Sequence, residues 1–312
     1  MPDAAPLPAP LRGIIPPMVT PLAGRDELDL PGLERLIEHL LGGGVHGLFI
    51  LGSNGEGPSH SYRLRNELIG RTCEIVAGRV PVLVGITDTS FVESLHVAHV
   101  AAEAGAAAVV ASTPYYFPLT QAELAGYVER LADESPLPLL LYNMPRLTKV
   151  AFDPETVARL MQHPRIAGIK DSSGEIEFLR AFVRIAAERP DFTVVVGPER
   201  LLPEGLAFGI HGGVCGGANL FPEWFVALYD AATRGDTARV QELRTRIARL
   251  QEIYTLTQAG SSMLRGVKCA LSLRGICSDR PAEPFEPYGE PERSRVAAIL
   301  EELASIRGHS PA

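Results

Sequence analysis

Lysine is scarce in this chain of 312 residues: only Lys149, Lys170 and Lys268 occur among 29 basic residues. Cysteine is scarce as well, and Cys73, Cys215, Cys269 and Cys277 form no CxxC pair. That spacing excludes a zinc ribbon or a dithiol redox motif and leaves four expected free thiols of a reducing compartment. His96 and His99 could share a helix face, but no acidic or cysteine ligand accompanies them, so no metal site is expected. No apolar run is long enough to span a bilayer, which excludes a membrane-embedded class. A net charge of -8 without a basic, aromatic-rich stretch leaves nothing to grip nucleic acid. Residues 1–10, rich in proline and alanine, lack the basic start and apolar centre of a signal peptide, and are expected as a flexible N-terminal tail of a cytoplasmic protein.

With 46% hydrophobic and 21% charged residues, the remainder reads as a folded α/β chain. A short apolar strand, a turn and a helix recur from Gly13 to about Asp230. Candidate strands are Gly13 to Val19, Gly47 to Leu51, Val82 to Ile86, Ala107 to Ser112, Leu137 to Tyr142, Arg165 to Lys170, Phe192 to Val196 and His211 to Cys215. Ser90 with Glu93, Thr120 with Glu123 and Ser172 with Glu175 fit capping boxes, and Asp153-Pro154 fits an N-cap followed by a first-turn proline. Eight such units predict a (β/α)₈ TIM barrel over 11–235. An open doubly wound sheet is the alternative, disfavoured because no GxGxxG turn follows the first strand. Residues 236–312 read as a C-terminal helical appendage, with helices near Asp236 to Gln258, Ser262 to Leu273 and Glu292 to Ile306, and an extended connection from Pro281 to Pro291.

In such a barrel, chemistry collects at the C-terminal ends of the strands. Lys170 ends one of them, and an amine in apolar surroundings is what a Schiff-base lysine needs; the plain alternative is a surface lysine. Gly52-Ser53-Asn54-Gly55-Glu56 follows the second strand, where exposed N–H groups of Ser53 and Asn54 could hold a carboxylate. Thr113-Pro114-Tyr115-Tyr116 and Tyr142-Asn143-Met144-Pro145 end the fourth and fifth strands. Tyr142, next to a lysine strand, is the candidate proton shuttle.

In this order, the GxxGE-like loop at Gly52 to Glu56, the TPYY segment at 113–116, the YNxP-like segment at 142–145, Lys170 with Asp171-Ser172-Ser173-Gly174, and Gly212-Gly213-Val214 resemble the dihydrodipicolinate synthase and N-acetylneuraminate lyase superfamily of class I aldolases. The resemblance covers nearly the whole chain. It implies that Lys170 forms an imine with pyruvate or a related 2-oxo acid, and that Gly52, Ser53, Asn54 and Val214 bind that substrate. It also implies that Tyr142 is the general acid and base, and that Ser53 relays protons to a Tyr116 supplied by a neighbouring subunit of a homotetramer. An aldehyde is the expected second partner, and no metal or organic cofactor is needed. Where dihydrodipicolinate synthases typically place an arginine followed by Thr-Gly, this chain has Leu147-Thr148-Lys149. Arg146 or Lys149 is therefore the candidate to replace that anion contact, and the Ser53-Asn54 pair is similar to the 4-hydroxy-2-oxoglutarate aldolase branch. The leading expectation is a Schiff-base lyase making or breaking a carbon–carbon bond. Alternatives are 4-hydroxy-tetrahydrodipicolinate synthase, a 2-oxo acid dehydratase and a non-catalytic 2-oxo acid binding protein.

Overall fold

The computed structural model describes residues 5–307. Ten strands form: β1 Gly13–Ile14, β2 Leu22–Gly24, β3 Glu27–Leu28, β4 Leu48–Ile50, β5 Val82–Gly85, β6 Ala108–Ser112, β7 Leu139–Asn143, β8 Ile166–Asp171, β9 Thr193–Val196 and β10 Gly212–Gly213. β2 and β3 are a small antiparallel hairpin, and the other eight make one parallel sheet in the order β1-β10-β9-β8-β7-β6-β5-β4. Helices lie between successive sheet strands, as parallel crossovers require.

The expected first strand, Gly13 to Val19, is cut short. Pro16 and Pro17 carry no N–H, so the ladder with β10 stops and the chain crosses to the other end of the sheet. There Pro17 bridges Phe49, the Met18 N–H donates to the Phe49 carbonyl (2.8 Å), and the Phe49 N–H donates to the Pro16 carbonyl (3.0 Å). One proline pair thus joins the two ends of a curled sheet. The last strand is also shorter than expected, Gly212–Gly213, and β1 passes so close to it that a Cβ on Gly212 would collide with the Gly13 backbone.

Side chains alternate between two apolar layers. Leu139 and Leu141 face the helices, while Leu140 and Tyr142 point into the curl with Ile15, Phe49, Leu83, Val110, Val195 and Val214. This period of two aims a strand-end residue at the interior.

Thr120 and Glu123 form the full capping box, and the Glu93 N–H donates to Ser90 Oγ (3.4 Å). Ser172 does not cap. Its N–H donates to the Asn143 carbonyl (2.8 Å), so it still belongs to the sheet edge, and the next helix begins only at Ile176. After helix Pro222–Thr233 the chain is helical: Thr237–Leu250, a 3₁₀ turn Gln251–Thr255, Ser262–Leu273 and Glu290–Arg307. Of the expected tail, Met1 to Ala4 lie outside the described residues, and Leu7 packs against the interior cluster. All four cysteines are buried and free, His96 and His99 are exposed, and among the described residues no helix is long and apolar enough to cross a membrane.

Candidate active site

A β-bulge places the lysine. Leu139 pairs with Ile166 but Leu140 pairs with Gly168, so Ala167 is an extra residue and everything after it shifts by one. The shift sets Tyr142 directly opposite Lys170; unbulged, the lysine would face Asn143. Lys170 is only 4% exposed, and its ammonium lies 3.9 Å from the centre of the Tyr142 ring and 4.8 Å from that of Phe49. Tyr142 Oη lies 3.2 Å from Ser53 Oγ, and the Phe49 and Tyr142 rings meet edge to face. Burial pushes the Tyr142 phenol up. The adjacent Lys170 charge, with hydrogen bonds from Ser53, Lys170 and Ser172, outweighs burial and holds its pKa below the ordinary phenol value. Amine, phenol and hydroxyl therefore form one compact cluster.

Asn143 and Asp171, the residues after this pair, are structural. Asn143 Nδ2 donates to Asp171 Oδ1 (2.8 Å), and the amide oxygen accepts from the Phe152 N–H (3.0 Å). This fully buried cross-link fixes the ends of β7 and β8 side by side.

The loop from Gly52 to Glu56 hangs on its fifth residue. Leu51 and Glu56 both adopt left-handed φ, 57° and 55°, and the loop folds back so tightly that a Cβ on Gly55 would meet the Leu51 N–H and the Met18 carbonyl. Thr20 Oγ1 and His60 Nε2 both donate to the Gly55 carbonyl (2.7 and 3.0 Å). Among the described residues, the N–H groups of Ser53 and Asn54 have no acceptor, as a carboxylate nest requires. Glu56 is buried: Oε2 accepts from the Ala282 N–H (2.6 Å), and Oε1 pairs with Lys268, which is itself wholly buried and donates to the Arg280 carbonyl (2.8 Å). The second scarce lysine thus anchors the loop to helix Ser262–Leu273.

Burial, with the nearby Lys268 charge, pushes the His60 imidazole down to about 4. Above pH 6.5 both folded and unfolded chains carry a neutral His60. Below it the unfolded chain takes a proton that the folded chain refuses, so stability is lost progressively down to about pH 4. This one group accounts for about 3 kcal/mol of that loss. Urea unfolding at pH 7 and pH 4.5 should show a smaller acid-induced drop in His60→Gln than in the parent; equal drops would refute the assignment.

A cavity of about 330 Å³ opens above Phe49, Ser53 and Tyr142. Gly52 and Ser53 line it. Lys170 is not part of the lining but rests on two rings that are. Val214 sits in the interior cluster beside Tyr142, and Asn54 turns its side chain toward Gly216. Tyr116, Arg146 and Lys149 also lie outside the lining of the single chain's cavity. Tyr116 is 76% exposed, with its ring against exposed Phe117, while Tyr115 lines the cavity instead. Arg146 and Lys149 are exposed and outside the lining, and Leu147 occupies it. On the four-residue helix Pro145–Thr148 each step rotates a side chain by about 100°, so Arg146 leaves the face that Leu147 and Thr148 present, and Lys149 follows as the left-handed C-cap.

Several site residues were missed in the sequence. Phe49 underlies the lysine, and Leu264 and Phe285 reach the cavity from the C-terminal helical region. Glu199, just after β9, is buried and accepts from the Gly217 N–H (2.6 Å), Gln251 Nε2 (2.7 Å) and Tyr254 Oη (3.2 Å). Burial pushes its carboxyl above the ordinary value despite these donors. Glu56 was legible as the last residue of the Gly52 to Glu56 motif, whereas Lys268 had no signal beyond a charge set between Val267 and Cys269.

Residues 10–303 match the model of the dihydrodipicolinate synthetase family. A 4-hydroxy-tetrahydrodipicolinate synthase of Cereibacter sphaeroides is 35% identical over 95% of this chain and 100% of its own length. The dihydrodipicolinate synthase structure from Bacteroides thetaiotaomicron superimposes with a TM-score of 0.92 at 50% identity, over 94% of this chain and 99% of that one. Escherichia coli YagE, solved in complex with pyruvate and provisionally named a 2-dehydro-3-deoxy-D-gluconate aldolase, gives a TM-score of 0.88 at 32% identity over 94% and 98%. The eight-stranded parallel sheet, the ordered strand-end motifs and these matches agree: the chain belongs to the dihydrodipicolinate synthetase family.

Proposed function

We propose that the chain is a Schiff-base-forming lyase, an aldolase that makes or breaks a carbon–carbon bond in pyruvate or a related 2-oxo acid. The observation that carries this is Lys170 buried against the rings of Phe49 and Tyr142, with Tyr142 Oη 3.2 Å from Ser53 Oγ. Lys170 attacks the 2-oxo carbon, water leaves, and the resulting imine withdraws electrons from the neighbouring carbon. Tyr142, its phenol made more acidic by the amine, moves the protons that carbinolamine formation and dehydration need, and Ser53 extends that path. The free N–H groups of Ser53 and Asn54 hold the substrate carboxylate.

The curled sheet and its crossover helices are read as a (β/α)₈ barrel over 11–235 with a helical appendage over 236–312. Tyr116 and Phe117, both largely exposed, suit a subunit contact through which Tyr116 completes a neighbour's proton path in a homotetramer. A cytoplasmic setting agrees with four free thiols. The names of several relatives favour 4-hydroxy-tetrahydrodipicolinate synthase as a second reading, but that reaction needs a contact for the carboxylate of aspartate semialdehyde, and among the described residues no arginine, lysine or histidine lines the cavity.

Incubation with pyruvate and borohydride, followed by intact-mass analysis, tests the imine. One reduced-pyruvate adduct per chain, located at Lys170 by peptide mapping, is expected. No adduct under conditions that trap a known class I aldolase would remove pyruvate chemistry from this site.

A further inference from the structure

The cavity changes character along its length. Its buried end is polar, with Ser53 and Tyr142, whereas the more exposed part of its lining holds Pro58, Met144, Leu147, Leu264 and Phe285 together with the neutral side chains of Ser59 and Tyr115. Leu147 and Phe285 are 50% and 38% exposed, which marks this as the mouth. Among the described residues no arginine, lysine or histidine belongs to the lining. Its one carboxylate, Glu56, is already engaged by Lys268 and the Ala282 N–H. Two of its hydroxyls are turned to the backbone. Thr148 Oγ1 donates to the Met144 or Val150 carbonyl, and Ser112 Oγ donates to the Thr113 carbonyl.

A second substrate ending in carboxylate or phosphate would lose hydration at this wall and gain no counter-charge, which is unfavourable. An apolar substituent would instead remove Leu147, Leu264 and Phe285 from water. Resting on the Schiff-base reading above, we infer that the aldehyde partner carries an uncharged, apolar substituent, aryl or branched alkyl, and that Leu147 is the residue selecting it. In the synthetic direction the enamine carbon of the Lys170 adduct attacks the aldehyde carbon and forms the new carbon–carbon bond. The aldehyde oxygen takes a proton from Tyr142. Water then hydrolyses the imine, replacing the water lost when it formed, and releases a 4-hydroxy-2-oxo acid.

The test is kcat/KM with pyruvate and a panel of aldehydes: benzaldehyde, isobutyraldehyde, glyceraldehyde, glyoxylate and succinic semialdehyde. The apolar pair should exceed the two anionic aldehydes by roughly 10–100-fold, the range that pocket discrimination supplies. Leu147→Arg should narrow or reverse that ratio. Higher kcat/KM for the anionic aldehydes, or for glyceraldehyde, would overturn the inference, as would a ratio indifferent to Leu147→Arg. Borohydride trapping of pyruvate in the parent chain separates the two levels: an adduct with the wrong aldehyde preference refutes only this inference, whereas no adduct refutes the imine reading and this one with it.

Discussion

Replacing Lys170 with alanine is expected to lower kcat for carbon–carbon cleavage by more than roughly 10⁴-fold. That exceeds the upper range for losing one positioned acid–base group, because the covalent route itself disappears. The variant also removes the charge that holds the Tyr142 phenol down, leaving burial to push its pKa up, so the remaining acid–base group is mistuned as well. Single-turnover assays with a 4-hydroxy-2-oxo acid give the rate, and urea unfolding establishes that the fold persists. Lys170→Met, which keeps the length of the side chain against Phe49 and Tyr142, is the packing control. A rate within tenfold of the parent in either variant would dismiss Lys170 as the imine-forming residue.

Lys268→Met should cost about 3–5 kcal/mol of stability, since it strands the buried Glu56 carboxylate without its counter-charge. Burial pulls the Lys268 amine below its ordinary pKa, and Glu56 opposes that pull. The double variant Glu56→Gln, Lys268→Met removes both charges and should recover most of the loss. Equilibrium urea unfolding of the parent, both single variants and the double variant closes the cycle. If Lys268→Met alone costs under about 1 kcal/mol, the pair contributes no more than an exposed ion pair would. Because Glu56 ends the loop that carries Ser53 and Asn54, Lys268→Met should also raise KM for pyruvate.

The eight strands of the parallel sheet and the order of their end segments were legible because strands buried on both faces read as continuous apolar runs, such as Leu139-Leu140-Leu141 and Thr193-Val194-Val195-Val196, whereas the short β2-β3 hairpin, with no such run, was not. The adjacency of Tyr142 and Lys170 followed from that order, but their register did not: nothing in Ile166-Ala167-Gly168 announces the bulge that brings them opposite one another. Ser172 looked like a cap because local spacing cannot tell a helix start from a residue still bonded to the sheet. That Arg146 and Lys149 lie outside the cavity lining was illegible for a similar reason, since direction on a four-residue helix and at its C-cap depends on where that helix is seated. Leu264, Phe285 and Lys268 come from far along the chain, and only the packing of the C-terminal helices brings them to the cavity and its loop.

The scarcity of lysine has a practical side. Lys268 is sealed beside Glu56, and Lys170 is buried against aromatic rings, so Lys149 is the chain's single exposed lysine side chain. Apart from the amino terminus, an acylating reagent or activated resin meets one amine, two residues from Leu147 at the mouth of the cavity. Coupling through it would orient every molecule alike, and a fluorophore attached there would report on what enters.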